Sequence, residues 1–285
     1  MSQVTDTTFA EVPIDNVRAY WNSRPCNIRH SAKPVGTREY FDEVEKRKYF
    51  VEPHIPRLAE FNRWAGKKVL EIGCGIGTDT INFARAGATV TAVDLSDESL
   101  KVAQQRAEVY GVHDRVRFFR TNAEELSKAV PVEPYDLIYS FGVIHHTPHP
   151  GAVLDELQKF CTAQTELKVM VYNRWSWKVL WIVMTYGKGQ FWREKELTAK
   201  YSEAQTGCPV TYSYSRTSGR AWLRQHGFEP HEVWVDHIFP YSIPEYKEYR
   251  YVKAWYWRWM PQPLFRLFER AWGWHLCMTA RPVRR

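Results

Sequence analysis

The run 69–78, Val-Leu-Glu-Ile-Gly-Cys-Gly-Ile-Gly-Thr, constrains this chain more than any other part of it. A short β-branched and apolar stretch, 68–72, ends in Glu71-Ile72, and Gly73, Gly75 and Gly77 follow at alternate positions. Glycine lets a chain turn through left-handed backbone and approach a ligand with no Cβ in the way. Helical spacing resumes at 78–86, so the free amides of a first helical turn point at whatever the glycines cradle. A second buried-type strand, 89–93, closes at Asp94, where an acid accepts from both hydroxyls of a ribose.

The same rhythm continues. Further strand patterns lie at 116–119, 135–139, 166–172, 229–237 and 275–280, and helical patterns at 97–110, 153–161 and 217–226. Ser96 is placed to cap the first of these helices and Gly227 ends the last. Strands alternating with helices, each strand a continuous apolar run, predict a doubly wound, Rossmann-like α/β fold with a parallel sheet. Ahead of it, a loop dense in donors (24–30) and a charged helix (40–50) form an N-terminal lid, 1–65. The remainder, 66–285, reads as one domain. Its rhythm breaks at about 174–214 and 238–273, which read as helical, aromatic cap insertions.

Composition narrows the partners. The chain carries a formal charge of +7, and from Arg174 onward 18 Lys and Arg face 9 Asp and Glu. That excess fits an anionic substrate, an anionic surface or a solvated basic rim. Five cysteines, far apart and with no CxxC pair, predict reduced thiols and a cytoplasmic setting in place of a disulfide framework or a zinc site. The first residues, MSQVTDTTFAEVP, lack the basic flank and apolar core of a signal peptide. The longest apolar run, 179–184, is far short of the roughly 20 residues that span a bilayer.

Two nucleotide cofactors suit a glycine turn followed by Asp94. A nicotinamide dinucleotide is disfavoured because Glu71 would repel a pyrophosphate and Thr78 stands where the third glycine of GxGxxG belongs. Glu71 suits the ammonium of an amino-acid moiety. The segments VLEIGCGIGTDT, VTAVDLS, RTNAEEL and YDLIYSFGVIHHTPHP resemble successive motifs of the class I S-adenosylmethionine (SAM)-dependent methyltransferases, nearest to the small-molecule methylases of ubiquinone and menaquinone biosynthesis. The likeness covers about 66–160. It implies a seven-stranded sheet with an antiparallel last strand, SAM as cofactor and S-adenosylhomocysteine (SAH) as product.

Carried over by residue, the resemblance implies that Glu71, Gly73 and Gly75 meet the methionine part, with Cys74 and Gly77 in the same turn. Asp94 would take the ribose hydroxyls and Leu95 would pack on adenine. Asn122, Ala123 and Glu124 stand where the adenine edge is read, with Asp the commoner residue at Asn122. Ser140 and Phe141 would sit beside the sulfonium, under an acceptor pocket above 140–146.

For the acceptor half, His145 is the candidate general base, since histidine titrates in the useful range. Tyr20 in the lid is a second candidate to face the methyl group. Arg24, Asn27, Tyr49, His146, Tyr172, Tyr241 and Arg250 are candidate substrate contacts, each with loop or cap packing as the alternative. The run of His145, His146 and His149 lacks a supporting carboxylate or thiol, so no metal is expected.

The function expected is methyl transfer to oxygen, carbon or sulfur of a small molecule. A small thiol needs little base, and an aromatic cap suits a lipid or quinone at a membrane surface. The Trp- and Arg-rich stretch 253–272 has the composition of an interfacial helix, broken by Pro261 and Pro263. An RNA acceptor is the competing class, disfavoured by the absence of a long Lys/Arg stripe and of an Asn/Asp-Pro-Pro-Tyr tetrapeptide after the fourth strand. A SAM-binding protein without catalysis is the third reading. Oligomeric state and acceptor identity are not legible.

Overall fold

The computed structural model describes residues 8–202 and 207–283. In chain order its strands are β1 (Lys68–Ile72), β2 (Thr89–Asp94), β3 (Val116–Arg120), β4 (Leu137–Phe141), β5 (Glu166–Asn173), β6 (Ser213–Tyr214), β7 (Phe228–Asp236) and β8 (His275–Pro282). Its α-helices are α1 (Ile14–Ser23), α2 (Arg38–Val51), α3 (Ile55–Ala59), α4 (Thr78–Arg85), α5 (Asp97–Val109), α6 (Pro150–Gln158), α7 (Trp177–Thr185), α8 (Glu194–Tyr201), α9 (Arg216–Gln225), α10 (Ile243–Lys247), α11 (Trp255–Arg258) and α12 (Gln262–Trp272).

The sheet runs β3-β2-β1-β4-β5-β8-β7. The first five strands are parallel, and β8 pairs antiparallel with both β5 and β7. The order of strands across the sheet reverses between β1 and β4. Ligands of doubly wound sheets bind at that switch point, beyond the carboxyl ends of the strands. All eight residues of β5 are buried, as a strand covered on both faces must be. Side-chain alternation divides the core into two layers. Val69, Tyr139 and Met170 pack with Ile81, Phe83 and Val183 on one face, and Leu70, Ile138 and Val169 with Leu154, Trp222 and Leu223 on the other.

The expected seven strands are present, and β6 makes an eighth. The register of β4 against β5 stops at Phe141 and Met170, whereas β5 continues to Asn173. Buried backbone groups need partners, and β6 takes up that edge, pairing Ser213 with Tyr172 and Tyr214 with Asn173. The fourth strand also starts two residues later than its pattern implies. Pro134 offers no amide, and Tyr135 instead sends its hydroxyl to Thr91 Oγ1 (3.0 Å).

The N-terminal helices are clasped to the sheet domain. Thr37 caps α2 by accepting from Tyr40 N, and α2 buries Tyr40, Phe41, Val44 and Arg47. The clasp is Arg106 of α5, wholly buried, which donates to Thr78 Oγ1 (2.6 Å), Phe41 O (3.2 Å) and Glu45 Oε2 (3.2 Å). Three acceptors offset the cost of taking a guanidinium out of water. On the other flank the segments 174–214 and 238–273 pack on each other, with the Trp177 ring 5.4 Å from Trp257 and 6.1 Å from Phe268.

Candidate active site

The chain leaves β1 through Gly73, Gly75 and Gly77, at φ of +75°, +53° and +77°. At Gly73 a Cβ would lie 2.2 Å from Val143 Cγ2, so the loops after β1 and β4 touch where only a hydrogen fits. The amides of Gly73 and Cys74 both donate to Val93 O, at 2.8 and 3.0 Å. Gly75 N donates to Asp94 Oδ2 and Ser96 N to Asp94 Oδ1, each at 2.8 Å. A carboxylate has about four acceptor positions. Two hold the loop, and Asp94 faces the cleft with the others. Burial raises the Asp94 carboxyl, opposed by the backbone donors of Ser96 and Gly75.

Beneath the loop lies a charged layer. Lys48 pairs with Asp79 (2.8 Å), which also accepts from Tyr49 (2.9 Å) and Tyr139 (3.1 Å). Glu71 is buried, accepts from Thr80 Oγ1 (2.5 Å), and is held above the usual carboxylate range by burial and by Asp79. Tyr49 and Glu71 therefore support the glycine turn from below and do not line the cleft.

The cleft holds about 440 Å³, within the usual span for small-molecule sites of roughly 300–1,000 Å³. One end is formed by Gly73, Cys74, Gly75, Asp94, Leu95, Asn122 and Ala123. Asn122 spends its Oδ1 on the amide of Glu124 (3.1 Å), and Glu124 turns away to accept from His149 N (2.8 Å). Gly77 starts α4 and packs toward Ala103, where a Cβ would come within 3.0 Å. Ser140 is fully buried and its neighbours Phe141, Gly142 and Val143 line the cleft. The open backbone of the glycine turn, a ribose-sized acceptor at Asp94 and apolar walls at Leu95 and Ala123 form a set that fits SAM.

The other end is aromatic and rich in imidazole. Tyr172 lies between His146 (ring centroids 5.3 Å) and Trp274 (4.0 Å, stacked), and His146 also meets Trp21 (5.3 Å). His146 Nδ1 sits 2.7 Å from Val210 O. Asn27, His30, Lys48, Glu52, Lys178, His237, Phe239, Tyr246 and His275 complete the wall.

Of the expected acceptor contacts, Asn27, His146 and Tyr172 line this wall. The others do not. Arg24, just past the end of α1, donates to the Tyr20 hydroxyl (3.3 Å). Tyr241 bridges to Lys253. Arg250 is exposed and bound to Glu245 and Glu248. His145 is wholly buried, packed 4.0 Å from the Tyr172 ring, with neither ring nitrogen bonded among the described residues. Burial holds it well below its ordinary pKa.

Sequence reading missed Glu52, Lys48, His237, Trp274 and His275. The signal for two of them lay in sheet register. Antiparallel β7–β8 pairing sets Asp236 opposite His275, and β5–β8 pairing sets Tyr172 opposite His275. His237 and His275 thus meet at the sheet edge that the cleft uses.

Comparison with known proteins agrees with this geometry. Residues 44–233 match the family model described as a methyltransferase domain. The chain is 36% identical over 137 residues to the ubiquinone biosynthesis O-methyltransferase of Psychrobacter cryohalolentis, covering 48% of this chain and 52% of that protein. It is 26% identical over 184 residues to the enzyme of the same name from Pasteurella multocida, covering 58% and 76%. The chain thus spans about half the length of the first of these relatives. In fold it is similar to magnesium protoporphyrin IX methyltransferase from Synechocystis PCC 6803 with bound SAH (TM-score 0.59, 17% identity, 95% and 100% of the two chains). Geranyl diphosphate C-methyltransferase from Streptomyces coelicolor gives the same TM-score at 16% identity, covering 94% and 97%. With the family model spanning the sheet from β1 to β7, the chain belongs to the methyltransferase-domain family.

Proposed function

We propose that this protein transfers a methyl group from SAM to a small-molecule acceptor, with oxygen the favoured atom. The observation that carries the reading is one continuous cleft joining the glycine turn and Asp94 to the wall of Tyr172, His146 and Trp274. Oxygen is favoured by the names of the relatives.

SAM supplies an electrophilic methyl on a sulfonium. The acceptor lone pair forms the new bond as the sulfur–carbon bond breaks, its electron pair stays on sulfur, and the acceptor proton leaves to solvent or to an imidazole. The protein's part is positioning. Asp94 holds the nucleoside end, the glycine turn leaves room for the amino-acid end, and Phe141 to Val143 set the floor between donor and acceptor. The aromatic wall orients a flat acceptor, and Lys178 favours one with negative charge. The cysteines of the described residues form no disulfide, which supports a reducing, cytoplasmic setting.

The test is transfer of labelled methyl from SAM to panels of phenols, quinols and small thiols, with total RNA alongside. Turnover on one small-molecule panel is expected. Turnover on RNA alone would replace the reading with a nucleic-acid enzyme.

A second reading, an acceptor drawn from a membrane surface, is favoured by one observation. Trp255 and Trp259 are 81% and 84% exposed, Leu264 and Leu267 of α12 face solvent, and Arg258 and Arg270 accompany them. Tryptophan and arginine together suit the interface of an anionic bilayer. No helix of the described residues is long and apolar enough to cross one.

A further inference from the structure

Glu52, His237 and His275 come together from three separate parts of the chain: the end of α2, the loop after β7 and the start of β8. Each offers one ligand atom, and these atoms all lie within 4.8 Å of one another. All three residues line the acceptor end of the cleft. We infer that Glu52, His237 and His275 form a binding site for one divalent transition-metal ion that holds the methyl acceptor.

The donor set suits such an ion. Two imidazoles and one carboxylate, with open positions remaining, are the ligands of catalytic zinc and of non-haem iron sites. A tetrahedral ion with nitrogen and oxygen ligands at about 2.0–2.2 Å sets its donors about 3.3–3.6 Å apart. Closing from 4.8 Å asks for about 1.2–1.5 Å at that geometry, the travel of a side-chain rotation.

The surroundings hold the ligands in place. His237 sits at φ +73°, a left-handed conformation that is costly for a side-chain-bearing residue and tends to mark functional positions. Its backbone is locked on both sides, with its amide donating to Asp236 Oδ1 (2.8 Å) and its carbonyl accepting from Trp274 N (2.7 Å). Gly273 permits this approach, since a Cβ there would lie 2.2 Å from Asp236 O. His54 Nε2 lies 2.8 Å from His275 Nδ1 and fixes the orientation of that ring. Neighbours of this kind orient metal ligands generally.

Two charges decide what else the site takes. Glu52 contributes one negative charge, while Lys178 stands near both rings and opposes a bare cation. An acceptor that brings an anionic oxygen to the ion offsets Lys178 as well. The acceptor class is therefore a hydroxyl compound, such as a phenol or an enol, able to ligate as its oxyanion. Ligation lowers the acceptor's pKa without a protein base, and its proton passes to solvent. This role rests on the methyl-transfer reading; the binding of the ion does not.

The experiment is anaerobic titration of the full chain with Co²⁺, followed by its visible d–d absorption and by calorimetry, with SAH binding measured on the same samples. One ion per chain is expected. His237→Ala and Glu52→Gln are expected to weaken it about tenfold or more while leaving SAH binding and circular dichroism as in the wild type. Equal Co²⁺ binding by wild type and both variants, or none by the wild type, overturns the metal site and leaves the SAM reading standing. Loss of SAH binding in the wild type counts against the methyl-transfer reading alone.

Discussion

Asp94 accepts the backbone amide of Gly75 at 2.8 Å, so the acid that faces the cleft is also the strut that shapes the glycine turn. With Ser96 N on its other oxygen, the carboxylate is aimed before any ligand arrives. Asp94→Asn retains one acceptor oxygen and the side-chain shape but loses the charge. Hydrogen bonds to charged groups are worth about 1.5–3 kcal/mol, so SAH affinity should fall roughly 10- to 100-fold by calorimetry. An unchanged affinity would remove Asp94 from the nucleoside site.

Gly73 meets two constraints at once, a φ of +75° and the 2.2 Å approach of Val143. Gly73→Ala pushes the loops after β1 and β4 apart. Thermal unfolding should show a loss of about 1–3 kcal/mol from overpacking and strain. SAH binding should weaken with it. Gly75→Ala shares the strain, but a Cβ there meets nothing within 4 Å, so its stability loss should be the smaller.

Glu133 sits between Lys68 and Arg117, and hydrogen bonds to these two cations lower its carboxyl from 4.5 to about 2. A depressed carboxyl contributes stability above its unfolded pKa and loses it as pH falls through the folded one. Glu133→Gln should therefore cost about 0.5–1 kcal/mol at pH 7, as partly exposed pairs do. The gap to the wild type should close between pH 4.5 and 2 in denaturant titrations. A gap that persists at the acid end would mean that Glu133 acts through packing.

The exposed tryptophans of α11 and its flank bear on the membrane reading. Trp255→Ala with Trp259→Ala should abolish co-sedimentation with phosphatidylglycerol vesicles while leaving SAH affinity unchanged. Salt should weaken wild-type binding, because the arginine contribution is screened. Wild-type protein that stays in the supernatant at low salt would leave the tryptophans without this role.

Much of the candidate donor half is legible in the sequence because it is local. The glycine turn, the strand before it and Asp94 after it are read within about two dozen residues, and Ser96 announces its cap by type and position. The acceptor half is not local. His237, His275 and Glu52 meet only through the β5–β8–β7 register and the packing of α2, which no short motif records. Neighbours in sequence also diverge in space. Ser140 and Phe141 alternate across β4, so Phe141 lines the cleft and Ser140 does not. His145 and His146 share one helical turn, yet His146 faces the cleft and His145 lies in the core beside Tyr172.

Calorimetric titration with SAH tests whether the turn 73–77 and Asp94 build a SAM site that feeds an acceptor pocket. One site per chain is expected, with affinity in the micromolar range, about −8 kcal/mol, and SAM competing for the same site. No heat and no competition at millimolar ligand would contradict it.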